Sequence, residues 1–144
     1  MTTRVSEVLK EKGYNVVTVA PAQAVATVAG VLTQNRIGAA PVVDDAHRLI
    51  GIISERDIIR GIASYGDSAL ALPAERLMTR EVKTCAPGDA VVELMEVMTN
   101  QRIRHLPVIE GGALRAIISI GDVVKQRLAE AQFELEQLRR YISS

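Results

Sequence analysis

The apolar residues of this chain fall into two nearly identical series. Val25, Val28, Ala29 and Leu32 follow one another at i, i+3, i+4 and i+7, the spacing that gathers one buried face on a helix. Val91, Leu94, Met95 and Met98 repeat that spacing 66 residues later. The same shift lays VVTVAP (16–21) on VKTCAP (82–87), Arg36-Ile37 on Arg102-Ile103, and Pro41-Val42-Val43 on Pro107-Val108-Ile109. One residue is then lost, so that Ser54 and Asp57 match Ser119 and Asp122 at a shift of 65. Such a loss belongs in a turn, where changes in length are tolerated.

Each series predicts the same elements: a short strand (16–19; 82–85), a helix opened by Pro (22–34; 88–100), two paired strands and a second helix. AAPVVD pairs with RLIGIIS, and HLPVIE with ALRAIIS, across the turn formers DDAHR and GG. The reading is an α+β fold of two pseudo-symmetric β-α-β-β-α repeats. The first spans 5–62 and the second 82–128, joined by a connecting segment, 63–81, in which LPAERLM reads as a short helix. Units of about 60 residues have thin cores alone, so the two are expected to pack face to face as one cooperative body. A C-terminal helical extension, 129–144, prolongs the last helix. Its stripe of Val124, Leu128, Ala131, Leu135, Leu138 and Ile142 needs cover, from its own module or from another copy.

Composition narrows the function. With 144 residues, 48% of them hydrophobic, the chain can bury a real core. Its 17 basic and 17 acidic residues cancel, and neither sign forms a run, so a bound anion must be met locally. Three Tyr, one Phe and no Trp leave little for base stacking, and nucleic acid is not an expected partner. No apolar run approaches the roughly 18 residues of a membrane span, and MTTRVSEVLKEKG lacks a leader's apolar core. A soluble, cytoplasmic protein is expected. Cys85 is the single cysteine, which excludes an internal disulfide and, with two His, speaks against a zinc site. Its expected role is a small buried apolar residue in a strand.

The chemistry lies in ISERD and ISIGD. A Ser ending a strand caps the next helix, and an acid three residues on completes a capping box. The same geometry can serve a ligand, because a hydroxyl, a carboxylate and free N–H groups converge where the helix starts. A ribose diol could bridge to the Asp, with a phosphate on nearby N–H groups or cations. Recurrence in both halves implies two related pockets.

The repeated pattern, with GAAPVVD and RHLPVIE before the middle strands and ISERD and ISIGD before the last helices, resembles a tandem pair of CBS (cystathionine-β-synthase) domains, a Bateman module. The resemblance covers roughly residues 5–128. It implies that adenosine nucleotides such as AMP, ADP, ATP or NAD(H), or S-adenosylmethionine, bind in clefts between the repeats. Asp57 and Asp122 would then accept the ribose hydroxyls, with Ser54 and Ser119 beside them and Thr18 and Thr84 contacting adenine or ribose. Ile37-Gly38-Ala39-Ala40-Pro41 and Ile103-Arg104-His105-Leu106-Pro107 match the wall around the adenine. Phosphate would lie near Arg56, Arg104 and His105, since the repeats differ there: Gly38-Ala39 against Arg104-His105, and Arg56 against Gly121. Arg suits phosphate through its planar fork.

Arg36 and Arg102, at helix ends, read as dipole partners and solvated side chains. His47 reads as an exposed turn residue. Arg60 and Lys125, one turn past the motif Asp residues, fit intrahelical pairing as well as phosphate.

The resemblance implies a stand-alone adenine-nucleotide sensor, not an enzyme, with no catalytic cofactor or metal. No P-loop, GxSxG or plausible triad occurs in the sequence. The expected partners are a second copy, as a homodimer of CBS pairs, and an unknown regulated protein in trans. The alternative is a structural or interaction protein whose pockets are vestigial and whose Ser-x-x-Asp pairs only cap helices.

Overall fold

The computed structural model describes residues 2–143. Each half forms a two-stranded antiparallel hairpin flanked by helices, so the α+β duplication expected above is what the chain adopts. In the first half, α2 (Val25–Asn35) precedes β1 (Ala39–Val43) and β2 (Leu49–Ser54), then α3 (Glu55–Tyr65). In the second, α5 (Val91–Gln101) precedes β3 (His105–Glu110) and β4 (Ala113–Ser119), then α6 (Ile120–Ser143). Two further helices lead into the halves: α1 (Val5–Lys12) at the N-terminus, and α4 (Ala74–Leu77) after a 3-10 turn over Gly66–Ala71.

The duplication extends to single bonds. β1 pairs with β2 from Ala39↔Ser54 and β3 with β4 from His105↔Ser119, and both ladders slip at the matching place, between Val42 and Val43 and between Val108 and Ile109. The lost residue is in the hairpin turn. Gly111 and Gly112 close the second hairpin with φ of 60° and 80°, the paired positive φ of a tight two-residue turn. In the longer first turn His47 is exposed at φ 61°, while the Asp44 carboxylate accepts from Ala46 N and Arg48 N.

The segments expected as first strands shrink to single parallel bridges, Val19↔Val42 and Cys85↔Val108. Proline is the reason. Val19 N donates to Pro41 O and Val43 N to Val19 O, and extending that ladder toward residue 17 would require an N–H from Pro41. Pro107 stops the second ladder in the same way. The helices after these segments also start later than expected. Pro21 and Pro87 sit in turns instead, closed by Gln23 Oε1 accepting from Ala20 N and by Asp89 Oδ2 accepting from Ala86 N.

Two cores result, and each borrows its leading helix from the other side of the chain. Val25, Val28, Leu32, Ala40, Val42 and Ile53 pack with Ala74 and Met78 around α4. Val91, Leu94, Met98, Leu106, Val108 and Ile118 pack with Val5, Val8 and Leu9 of α1. Matching hydrogen bonds fix the exchange: Val5 N to Asp89 O and Ser6 N to Pro87 O in one half, Ala74 N to Gln23 O and Glu75 N to Pro21 O in the other. α6 is tied to this arrangement through Gln126, which donates to the buried Thr3. Beyond Glu130 every described residue of α6 is exposed, so the apolar stripe does not fold back on its own module.

Candidate functional site

Both Ser-x-x-Asp pairs form reciprocal caps. Asp57 N donates to Ser54 Oγ at 3.2 Å while Ser54 N donates to Asp57 Oδ2 at 2.9 Å. Asp122 N donates to Ser119 Oγ at 3.2 Å and Ser119 N to Asp122 Oδ2 at 2.8 Å. The first N–H of each helix reaches back to the residue before its own hairpin, Glu55 N to Gly38 O and Ile120 N to Arg104 O. Strand end, helix start and the 38/104 corner are thereby held together twice, which satisfies helix N–H groups that would otherwise lack partners.

Beyond the caps the two carboxylates diverge. Asp57 Oδ1 accepts from the Thr79 hydroxyl at 3.1 Å, and Thr79 also exchanges backbone bonds with Ile52. Asp122 Oδ2 instead takes the Lys12 ammonium at 2.5 Å, and Lys12 Nζ donates as well to Ile117 O at 2.7 Å. Burial raises the Asp122 pKa, but the hydrogen bonds from Lys12 and Ser119 and the Lys12 charge outweigh it and hold the group below its ordinary value.

A cleft of about 420 Å³ lies where the first turn of α3 meets the α5–β3 corner. Arg56 comes from the first half, Arg102 and Arg104 from the second, with Met98, Thr99, Ile103 and Ile120 completing the lining. Its size suits a small molecule, and three cations with no acid among the lining residues suit an anionic one. Arg102 ends α5 in the left-handed conformation at φ 55°, as Arg36 ends α2 at φ 54°. Arg102 is an exposed helix-end residue as expected, and it lines this cleft as well, a second role for which the cue was its position two residues from Arg104. Lys12 and Thr79 carried no cue in their own sequence neighbourhood.

The other expected residues are distributed as follows. His105 faces the first half: a Cβ added to Gly38 would lie 3.4 Å from its Cε1, with Glu55 next. Burial, then the Lys12 and Arg104 charges, lower the His105 pKa against the opposing pull of Asp122 and Glu55, so the ring is mainly neutral at pH 7. Thr18 is half-buried and Thr84 exposed, each one residue ahead of its bridge. Ala39, Pro41 and Pro107 are buried on the strands, Ile103 lines the cleft, and the side chains of Ala40 and Leu106 belong to the two cores. Neither Asp57 nor Asp122 lines the cleft. Among the described residues no cluster of His, Cys, Asp and Glu could hold a metal ion, and no helix is long and apolar enough to cross a membrane.

The family model described as "CBS domain" matches residues 5–64 and again 74–129. This chain belongs to the CBS-domain family. The CBS pair is 40% identical over 115 residues to the mitochondrial CBS domain-containing protein CBSX3 of Arabidopsis thaliana, a match covering 77% of this chain and 56% of that protein. Among solved structures, a CBS-domain protein of Agrobacterium tumefaciens has a TM-score of 0.85 at 42% identity, covering 88% of this chain and 95% of the other. A CBS domain protein of Pyrobaculum aerophilum, complexed with AMP, has a TM-score of 0.74 at 31% identity, covering 83% of this chain and 89% of the other. The fold shared with these proteins is the tandem pair, or Bateman module, expected from the repeated motifs.

Proposed function

We propose that this CBS pair is an adenine-nucleotide-binding regulatory module that signals by a ligand-dependent change of conformation or assembly. The observation that carries the reading is the convergence of Arg56, Arg102 and Arg104, from both halves, on one cleft of about 420 Å³. The AMP complex of the Pyrobaculum relative supports the ligand class. In this reading Asp57 or Asp122 accepts the ribose hydroxyls beside Ser54 or Ser119. Thr18, Thr84 and the backbone at 38–40 and 103–106 meet the sugar and base, and the arginines meet phosphate. His105 serves as a neutral hydrogen-bonding ring, so the phosphate charge falls to the arginines. AMP, ADP, ATP and NAD(H) all satisfy this chemistry. The module binds and does not catalyse, and a regulated partner acts in trans, because a ligand can shift only an equilibrium between states to which it binds differently.

Titration calorimetry with AMP, ATP, NAD and NADH on nucleotide-stripped protein tests the reading. Arg56→Ala and Arg104→Ala should each weaken ATP binding by about 10- to 100-fold, the worth of a lost charge-assisted hydrogen bond. The reciprocal caps favour a second reading, an interaction protein in which Ser54/Asp57 and Ser119/Asp122 only start helices. That reading predicts no saturable binding of any of the four nucleotides.

A further inference from the structure

The two motif carboxylates are held by different chemistry at equivalent points. In the first half, Ile52 O accepts from Thr79 N and Asp57 accepts from Thr79 Oγ1. In the second, Ile117, the counterpart of Ile52, and Asp122 both accept from one group, the Lys12 ammonium. One lysine thus stands where a backbone N–H and a hydroxyl do, with the difference that its ammonium shares Asp122 Oδ2 with Ser119 N, whereas Thr79 takes Asp57 Oδ1. The paired backbone bonds of α1 and α4 match Val5 to Ala74, whereas the segments that follow match at 66, so three more residues separate α1 from its bridge strand. That extra length brings Lys12 and Tyr14 alongside β4, where Tyr14 lies under Arg115 with the guanidinium 4.7 Å from the ring centroid. The Lys12 charge also reaches His105, which faces Gly38 across the boundary between the halves.

The consequence for a ribose differs between the halves. A Thr hydroxyl can donate to Asp57 and still accept from a ligand, whereas an ammonium has donors only. Both bonds are charge-assisted through the carboxylate, but displacing the hydroxyl releases a neutral donor, whereas displacing Lys12 separates opposite charges and leaves an ammonium to be resolvated. We propose that Lys12 is the residue that decides which carboxylate receives the sugar: Asp57 takes ribose, and the Lys12 clamp closes Asp122 to it while α1 is docked. This rests on the nucleotide reading above and adds to it the number and place of the occupied sites.

The test is calorimetric stoichiometry of AMP, and in parallel ATP, on the full chain. Wild-type protein should bind one nucleotide per chain, and Asp57→Ala should abolish that binding while Asp122→Ala leaves it within about twofold. Lys12→Met, which keeps the stem and removes the charge, should bind two per chain. Two sites in the wild type, loss of binding with Asp122→Ala but not Asp57→Ala, or a single site in a folded Lys12→Met protein each overturn the inference while leaving nucleotide binding in place. Loss of affinity in Lys12→Met would make Lys12 a ligand contact and overturn it too. If Lys12→Met fails to fold, the Asp57→Ala and Asp122→Ala arms still decide which carboxylate receives the sugar: both keep Lys12, and only Asp122→Ala removes its partner. Absence of AMP and ATP binding from wild type and Lys12→Met alike fails the nucleotide reading itself.

Discussion

Cys85 shows how a residue read from its type alone can be placed correctly. It is buried on the bridge to Val108, and burial, helped by the Asp89 charge, pushes its thiol up to about 12. Only the thiolate reacts, so the native thiol should resist alkylation at pH 8, while the unfolded chain reacts within minutes; a thiol-reactive dye followed across a urea titration checks this. His105 needed the structure, because its charge state depends on Lys12, Arg104, Asp122 and Glu55, which are brought together from four parts of the chain. The lowered folded value means that the unfolded ring takes up a proton more readily. Stability is therefore expected to fall as pH drops below about 6.5 toward the folded pKa, and His105→Gln should flatten that slope, as urea midpoints at pH 7.5 and 5.5 would show. The Asp122 shift acts further down: its stabilisation is fully present above the ordinary carboxylate value and is lost only as pH falls through the lowered one.

At the level of elements, periodicity and turn residues located the helices and hairpins because those signals are local. The helical spacing of Val25 to Leu32, the Gly111-Gly112 turn and the Ser-x-x-Asp caps each depend on neighbours within a few positions. The limits of the first strands depended on which backbone groups Pro41 and Pro107 lack across the ladder, a property of the partner strand. The docking of α4 was equally non-local. Leu77 and Met78 press so closely that a Cβ at Gly51 would come within 2.5 Å of Met78 Sδ, and one at Gly61 within 2.5 Å of Leu77 Cδ1. Gly51→Val should then cost about 1–3 kcal/mol by overpacking in chemical denaturation. At the matching place the second half carries Ala116, buried in the cluster that holds Leu9.

For the whole molecule, the duplication was legible but the cleft only in part: Arg56 and Arg104 were picked out by the difference between the repeats, whereas Arg102 joins them through geometry. α6 raises the question of assembly. Leu128, Phe133, Leu135, Leu138, Tyr141 and Ile142 are all exposed, as are Ile59 and Ile62 on α3, the counterpart of its first turns. Apolar surface of this extent calls for a partner, and the homodimer that the family resemblance leads us to expect would supply one. Ending the chain after Glu130 should leave the melting temperature of the separated monomer within a few degrees while weakening self-association at least tenfold in sedimentation velocity.

The exchanged leading helices also set the order in which a growing chain can finish folding. As residues leave the ribosome in sequence, the first half lacks its α4 cover until Met78 has emerged, so its own strands and helices wait with an open face. α1 waits longer, because Val5 bonds to Asp89 and Thr3 to Gln126. Contacts so distant along the chain form late and slowly. Residues 3–12 should therefore become protected from a protease later than the first hairpin does, and Lys12 could reach Asp122 only after residue 122 has left the ribosome.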